Sequence, residues 1–316
     1  MTRVTLFGGA GFLGSRIAEQ CVGMGHHVCV VDGLLPYTAG RREHVAHLGP
    51  SVELRCSRIE ETDDLQGLVA ESDAIVDCMG WTRHRAALAD PLYDQQLNLA
   101  SHVHWLYRVP EGAHPRVIYL GSRGQFGNPH GDEIDEDAPQ CPVDVQGIHK
   151  SAAEHHFRLA ARLRGFPVVS LRLPACVGPN QPTDGEDVGL VGGFVRDLLA
   201  GRTVQVYGRG RRRAVAYADD VAAVVCRLLA LPLEGFTPYN LRGEVLPIED
   251  IATRLAALIG RGRVDVADVP HEVAAIDVGG GMLREDRLRA ALGGLSRTPI
   301  DTVFAATVRY LEAALG

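Results

Sequence analysis

Seven residues near the start constrain the fold of this chain more than any other feature. Gly8-Gly9-Ala10-Gly11-Phe12-Leu13-Gly14 follows the short apolar run Val4-Thr5-Leu6-Phe7 and precedes a helical stretch from Ser15 to Met24 that ends near Gly25. Glycines at this spacing permit a tight turn and a close backbone approach, and the free amides at the helix start can hold a pyrophosphate. A second apolar run, Val28-Cys29-Val30-Val31, closes on Asp32, 18 residues after Gly14. An acid at that distance is placed to bond the hydroxyls of an adenosine ribose. Gly8, Gly11, Phe12, Leu13, Gly14 and Asp32 are therefore the expected dinucleotide-binding residues. The acid repels a 2′-phosphate and favours NAD over NADP, while Arg41 and Arg42 in the next loop pull the other way.

Further apolar runs at Ala74-Ile75-Val76-Asp77, Arg116-Val117-Ile118-Tyr119-Leu120 and Val168-Val169-Ser170-Leu171-Arg172 alternate with longer helical segments. Strands alternating with helices imply βαβ units and a parallel sheet, hence an α/β fold. Runs so rich in Val, Ile and Leu fit strands covered by helices on both faces. The later part reads as a strand-like Tyr239-Asn240-Leu241, a helix from Ile248 to Ile259, and helical stretches around Arg284 to Leu292 and Ile300 to Leu315. Two polar stretches, Asn128 to Asp144 and Pro179 to Gly189, read as loops, the second either solvated or a substrate flap.

Composition removes several classes of function. No apolar stretch in the 316 residues approaches the ~18 needed to span a membrane. The first residues read as a strand rather than a signal peptide, so a cytoplasmic protein is expected. A net charge of −7 argues against nucleic acid as a partner, despite the local run Arg209-Gly210-Arg211-Arg212-Arg213. The seven cysteines lie far apart without a CxxC pair, which suggests neither disulfides nor a metal site. Among 32 Lys and Arg residues there is one lysine, Lys150. A surface cation tolerates exchange for arginine, whereas a site that needs a compact ammonium on a thin stem does not. Lys150 is thus a functional candidate on composition alone.

Taken with the glycine motif, several further segments give the chain an end-to-end resemblance to the extended short-chain dehydrogenase/reductase family, in its NAD-dependent epimerase/dehydratase branch. They are Asp90-Pro91 with Asn98, Tyr119-Leu120-Gly121-Ser122 leading to Phe126-Gly127, and Lys150-Ser151-Ala152-Ala153-Glu154. Arg172 with Gly178-Pro179, Arg213 through Tyr217 to Asp219-Asp220-Val221, Tyr239-Asn240 and Leu292-Gly293 complete the set. The resemblance implies a catalytic hydroxyl at Ser122 and a lysine at Lys150 that holds the nicotinamide ribose and lowers the pKa of a tyrosine four residues earlier. That tyrosine is absent: Gln146 stands in its place, on the same helix face, and an amide does not exchange a proton near neutral pH. Three readings follow: another residue is the base, the amide only positions substrate, or catalysis has been lost. His84, in a loop that family members lay beside the substrate, is the better replacement base. His149 is adjacent to Lys150 and points about 100° away from it on the helix. Cys78, Cys141 and Cys176 could approach the site but default to inert thiols.

Other departures bear on the substrate. Arg123-Gly124 occupies the place where the family's dehydratases carry Asp-Glu, which disfavours dehydration. Ala175 replaces an Asn that contacts the sugar nucleotide in many members, and the late Arg-x-Gly-Asp element is missing from Pro270-His271-Glu272-Val273. Arg213 matches the family's phosphate-binding arginine, Val206 lies in the segment near the base, and Arg123 joins them as a substrate-binding candidate; a guanidinium can bind phosphate oxygens in a bidentate way. The expected architecture is a doubly wound parallel Rossmann sheet over residues 1–173, with a returning segment at about 204–232 and a smaller mixed α/β substrate domain over 174–316. The expected function is NAD-dependent epimerase or oxidoreductase chemistry at a carbinol carbon of a nucleotide sugar or related small molecule, without a metal. The catalytic set is Ser122, Gln146, Lys150 and His84. A one-way ketoreductase or dehydrogenase and a non-catalytic NAD-binding regulator are the alternatives. A homodimer through helices at about 94–107 and 147–164 is expected by analogy with the family.

Overall fold

The computed structural model describes residues 2–129, 131–183, 188–271 and 281–315. Its strands are β1 (Arg3–Phe7), β2 (His27–Val31), β3 (Val52–Arg55), β4 (Ala74–Asp77), β5 (Arg116–Ser122), β6 (Glu133–Ile134), β7 (Val168–Leu173), β8 (Ala175–Val177), β9 (Thr203–Tyr207), β10 (Arg212–Tyr217), β11 (Phe236–Asn240), β12 (Glu244–Pro247), β13 (Arg263–Ala267) and β14 (Met282–Leu283). Seven of them form one sheet in the order β11-β7-β5-β4-β1-β2-β3. Every pairing in it is parallel, as the Val- and Ile-rich runs predict.

The chain winds outward from β1 through β2 to β3, then crosses to β4 on the other side of β1 and continues outward. Phe7 pairs with both Val31 and Asp77, so the carboxyl ends of β1, β2 and β4 lie level. A ligand crevice belongs where the winding reverses, beyond these ends.

Both faces of the sheet are covered. On one, Val4, Leu6, Val30 and Val76 pack with Ile17 and Ala18 of the helix Phe12–Gly23 and with Val221 and Val225 of the helix Ala218–Leu229. On the other, Phe7, Ile75, Val117 and Tyr119 meet Trp105 and Phe157, both fully buried. Each such side chain removed from water stabilises the fold by about 1.5–3 kcal/mol.

A third core lies under the later helices. Val195 and Leu198 of Leu190–Leu199, Ile251 and Leu255 of Ile248–Ile259, and Phe304 and Leu311 of Ile300–Leu315 enclose Val204, Val206 and Val215. Of residues 204–232, the helix Ala218–Leu229, with Ala216 and Leu231 on either side of it, joins the core against the large sheet, while β9 pairs with β13 and β10 with β8 and β12. Val204 and Val206 of β9 and Val215 of β10 are buried in the third core. The large sheet is completed by β11, which pairs with β7 from Phe236↔Val168 to Asn240↔Arg172.

Candidate active site

The turn after β1 is built by contacts that only glycine allows. Gly8 has φ +73 and donates its N–H to Val31 O at 2.8 Å. A Cβ on Gly14 would stand 2.3 Å from Gly8 O, so the helix Phe12–Gly23 sits directly against the turn. Gly11 caps that helix with no side-chain bond, and its first turn carries no acid. The first-turn amides and the positive end of the helix dipole thus stay available to an anion.

Asp32 leaves β2 and is almost wholly buried; its Oδ2 accepts from Ala10 N at 3.0 Å and its Oδ1 from Leu34 N at 2.9 Å. Burial pushes the carboxyl up from its ordinary value, and the two amides only partly oppose this. Neither Arg41 nor Arg42 lines the cavity beyond this acid. Arg41 donates to Thr38 O and Gly40 O, and Arg42 to Cys56 Sγ.

That cavity has a volume of about 940 Å³, within the range of sites that enclose a small-molecule ligand. It runs from Gly8, Gly11, Phe12, Leu13 and Asp32, past Ser122, Gln146 and Lys150, to residues 174–177 and Arg213. The glycine turn, the uncapped helix start and the buried acid at one end match the phosphate and ribose of a dinucleotide. Gly14 lines none of it and acts through its contact with Gly8.

The opposite wall rests on the helix Val145–Arg164. Asp144 caps it, Oδ1 accepting from Gly147 N at 2.7 Å, and Gly165 ends it with φ +77. Gln146, Lys150 and Glu154 recur every four residues on its buried side. Lys150 Nζ donates to Met79 O at 3.0 Å and to Leu120 O at 3.4 Å, and lies 5.1 Å from the centre of the Tyr119 ring. Burial lowers the pKa of this ammonium, and the carboxylates of Asp77 and Asp94 partly hold it up.

Ser122 ends β5 and caps the following turn. Its Oγ accepts from Gly124 N at 3.1 Å, and its own N–H donates to Gln125 Oε1 at 2.6 Å. Gln125 Nε2 in turn donates to Glu154 Oε2 at 2.9 Å, and Glu154 Oε1 is paired with Arg172 Nη2 at 2.6 Å, with both side chains 1% exposed. The position of Ser122 is therefore supported by a buried ion pair two residues removed from it in the bonding network.

Gln146 Nε2 donates to Trp81 O at 2.6 Å. The same carbonyl accepts from Asn98 Nδ2 at 2.9 Å, and Asn98 Oδ1 receives Trp81 N at 2.9 Å. Asn98 lies in a π-helical turn, Gln96–Ala100, a distortion that often marks functional sites. His84 lines the cavity with its Nδ1 2.7 Å from Asp144 Oδ2. His149 does not line it and bonds Asp94 Oδ2 at 2.6 Å instead.

Arg123 and Arg213 both line the cavity. Arg123 Nε donates to Gly281 O at 3.0 Å and its Nη1 to Gly127 O at 2.7 Å, while Arg213 reaches the wall from β10. Val206 is the exception among the substrate-binding candidates. It is fully buried in the third core and lines no part of the cavity, because alternation along β9 turns its side chain inward. Cys78 and Cys176 line the cavity, but burial pushes both thiols up, that of Cys176 to about 12. Cys141 is exposed elsewhere.

Trp81, Arg83, Arg85 and Asp144 line the cavity although sequence reasoning passed over them as site residues. Asp144 carried a readable signal, as an acid one residue before a helix start is a standard cap. Its pairing with a histidine 60 residues away carried none. Glu272 and Val273, where the Arg-x-Gly-Asp element is missing, and positions 184–187 of the polar loop lie outside the described residues. Among the described residues there is no cluster suited to a metal and no helix long and apolar enough to cross a membrane.

Comparison with known proteins identifies the family. The model of the NAD dependent epimerase/dehydratase family matches residues 4–241. A UDP-glucose 4-epimerase of Mycolicibacterium smegmatis is 26% identical, over 98% of each chain. Among solved structures, a Thermus thermophilus UDP-glucose 4-epimerase in complex with NAD superposes with a TM-score of 0.84 at 25% identity, over 99% of both chains. A Thermotoga maritima UDP-glucose 4-epimerase with UDP-glucose gives a TM-score of 0.86 at 21% identity, covering 99% of this chain and 100% of that one.

Proposed function

The chain belongs to the NAD-dependent epimerase/dehydratase family, and from that premise we propose that it is an epimerase that oxidises and re-reduces one carbinol carbon of a nucleotide sugar. The observation that carries this reading is the single cavity joining the glycine turn and Asp32 to Ser122, Gln146, Lys150 and Arg213. When bound, NAD supplies a hydride acceptor and, once reduced, a hydride donor. The amides after Gly11 hold its pyrophosphate, and Asp32 takes the hydroxyls of the adenosine ribose.

Lys150 would hold the nicotinamide ribose. Ser122 donates its hydroxyl proton to the reacting oxygen, because one of its lone pairs already receives Gly124 N–H. Gln146 stands where the family carries its tyrosine and fixes the Trp81 segment beside the substrate. Arg213 and Arg123 face the anionic part of the substrate. The Arg123-Gly124 pair supports epimerisation over dehydration, since neither residue supplies the acid or base that loss of water needs.

The protein acts in the cytoplasm as a homodimer, joined through the helices around 94–107 and 147–164. These segments and their flanks leave Leu92, Ile148 and Leu163 exposed. A solution mass equal to one chain would rule the dimer out.

The primary experiment is mass spectrometry of denatured protein for co-purified NAD, followed by a nucleotide-sugar panel monitored for reduced nicotinamide and for the C4 epimer. Retained NAD, a transient reduced form and an epimer as product are expected. Stoichiometric accumulation of a reduced or oxidised product, with no epimer, would make the enzyme a one-way reductase or dehydrogenase.

A further inference from the structure

Oxidation of a carbinol breaks an O–H bond as well as a C–H bond, and the residues assigned so far leave that proton without an acceptor. The Gln146 amide does not titrate near neutral pH. Lys150 spends donors on Met79 O and Leu120 O. Tyr119 is sealed beneath Lys150, with burial holding its phenol well above the usual value.

His84 lies on the wall of the same cavity, at the start of the helix His84–Ala89. Its Nδ1 is 2.7 Å from Asp144 Oδ2, and the Asp144 side chain is 4% exposed. Burial alone would raise the Asp144 carboxyl, but the His84 ring and Gly147 N–H outweigh it and hold the group below the ordinary range. An ionised carboxylate on Nδ1 fixes the tautomer with its proton on that nitrogen. It directs basicity to Nε2 and stabilises the imidazolium once formed. Asp144 also precedes Gln146 by two residues at the start of the same helix. Both Asp144 and Gln146 line the cavity.

Resting on the redox reading above, the geometry points to His84 as the acid–base residue of this enzyme, with Asp144 as its positioning residue. In the oxidising direction the carbinol C–H bond breaks, and its electron pair leaves as hydride to the bound NAD. The O–H bond breaks at the same time, its electron pair forms the carbonyl π bond, and the proton goes to His84 Nε2. In the reducing direction the hydride returns to the carbon and the His84 imidazolium gives the proton back to the oxygen. Arg83 and Arg85 flank the histidine on its own segment, and Arg123 lines the cavity from the turn after β5.

The test uses the NAD-loaded protein with UDP-glucose, UDP-glucuronate and dTDP-glucose as probes. His84→Ala is expected to lower kcat on the accepted sugar by about 100-fold or more while NAD affinity is unchanged, with added imidazole restoring part of the rate. Asp144→Asn keeps a capping side chain but removes the charge, and is expected to lower kcat about 10-fold with little change in KM. A readout separate from turnover is carbethoxylation of His84 by diethyl pyrocarbonate, followed by peptide mass spectrometry. The accepted sugar should slow it. Full turnover by His84→Ala, loss of its NAD affinity, or labelling of His84 that the accepted sugar leaves unchanged would each overturn the pair and leave the redox reading standing. No turnover by the unaltered protein on any of the three sugars would overturn both.

Discussion

The two ends of the cavity are held by different means. At the cofactor end the work falls to backbone: Gly8, Gly11 and Gly14 let a turn and a helix start close on each other, and Asp32 is fixed by the amides of Ala10 and Leu34. At the reacting end the wall is made of side chains from separate segments. Ser122 leans on Gln125 and Glu154, Gln146 and Asn98 share one carbonyl of Trp81, and His84 meets Asp144 across 60 residues of sequence. A cradle made of main chain has few ways to change without collapse. A wall of side chains can exchange one acid–base group for another while the cradle keeps its cofactor.

If that contrast is right, the largest effect on stability comes from the support of the reacting end. Arg172→Ala strands Glu154 without its partner in the interior, and should cost about 3–5 kcal/mol, read as a fall in Tm. It should also displace Ser122, so kcat on the accepted sugar falls in whatever protein stays folded. A change near zero would mean that the wall is as self-sufficient as the cradle.

Lys150→Arg is next. The ammonium fits between Met79 O, Leu120 O and Gly80, where even a Cβ on the glycine would come within 3.0 Å of Nζ. A planar guanidinium has no room there, and turnover should drop about 100-fold, with weaker NAD binding. Unaltered NAD affinity and turnover would show that a compact cation is not required. Asp32→Asn belongs wholly to the cofactor end and should narrow the preference for NAD over NADP by about 10-fold, measured by competitive binding.

The smallest effect is one of pH. Burial alone would raise the Glu154 carboxyl, but Arg172, Ser170 and Gln125 outweigh it and hold the group below its ordinary range. A carboxyl depressed in the folded chain contributes stability that is present above its unfolded value of ~4.3 and lost as the pH falls through the lower folded value. The stability gap between the unaltered protein and Glu154→Gln should therefore shrink below that pH and stay constant above it. A gap independent of pH would mean that Glu154 is held by packing rather than by charge.

What the sequence made legible divides along the same line. The glycine turn, Asp32, the parallel strands and the helices Ile248–Ile259 and Ile300–Leu315 could be read because each is written in consecutive residues. Lys150 stood out because it is the one lysine among 32 Lys and Arg residues. The β9 segment was misread at Val206, since a strand of alternating apolar residues does not state which face meets ligand and which meets core. That β9 pairs with β13 while β11 joins β7 at the edge of the large sheet was not legible either, because partners distant in sequence decide which sheet a strand enters. The pairing of His84 with Asp144 is tertiary, and neither residue announces the other.

The solitary lysine has a chemical consequence beyond catalysis. It is the only side-chain primary amine in the protein, and it is 7% exposed against the cavity wall. Reductively alkylating reagents, which decorate most proteins at many lysines on the surface, have a single side-chain target here, on the wall of the cavity. The extent of such labelling would report how often that wall is uncovered, making the molecule its own occupancy gauge.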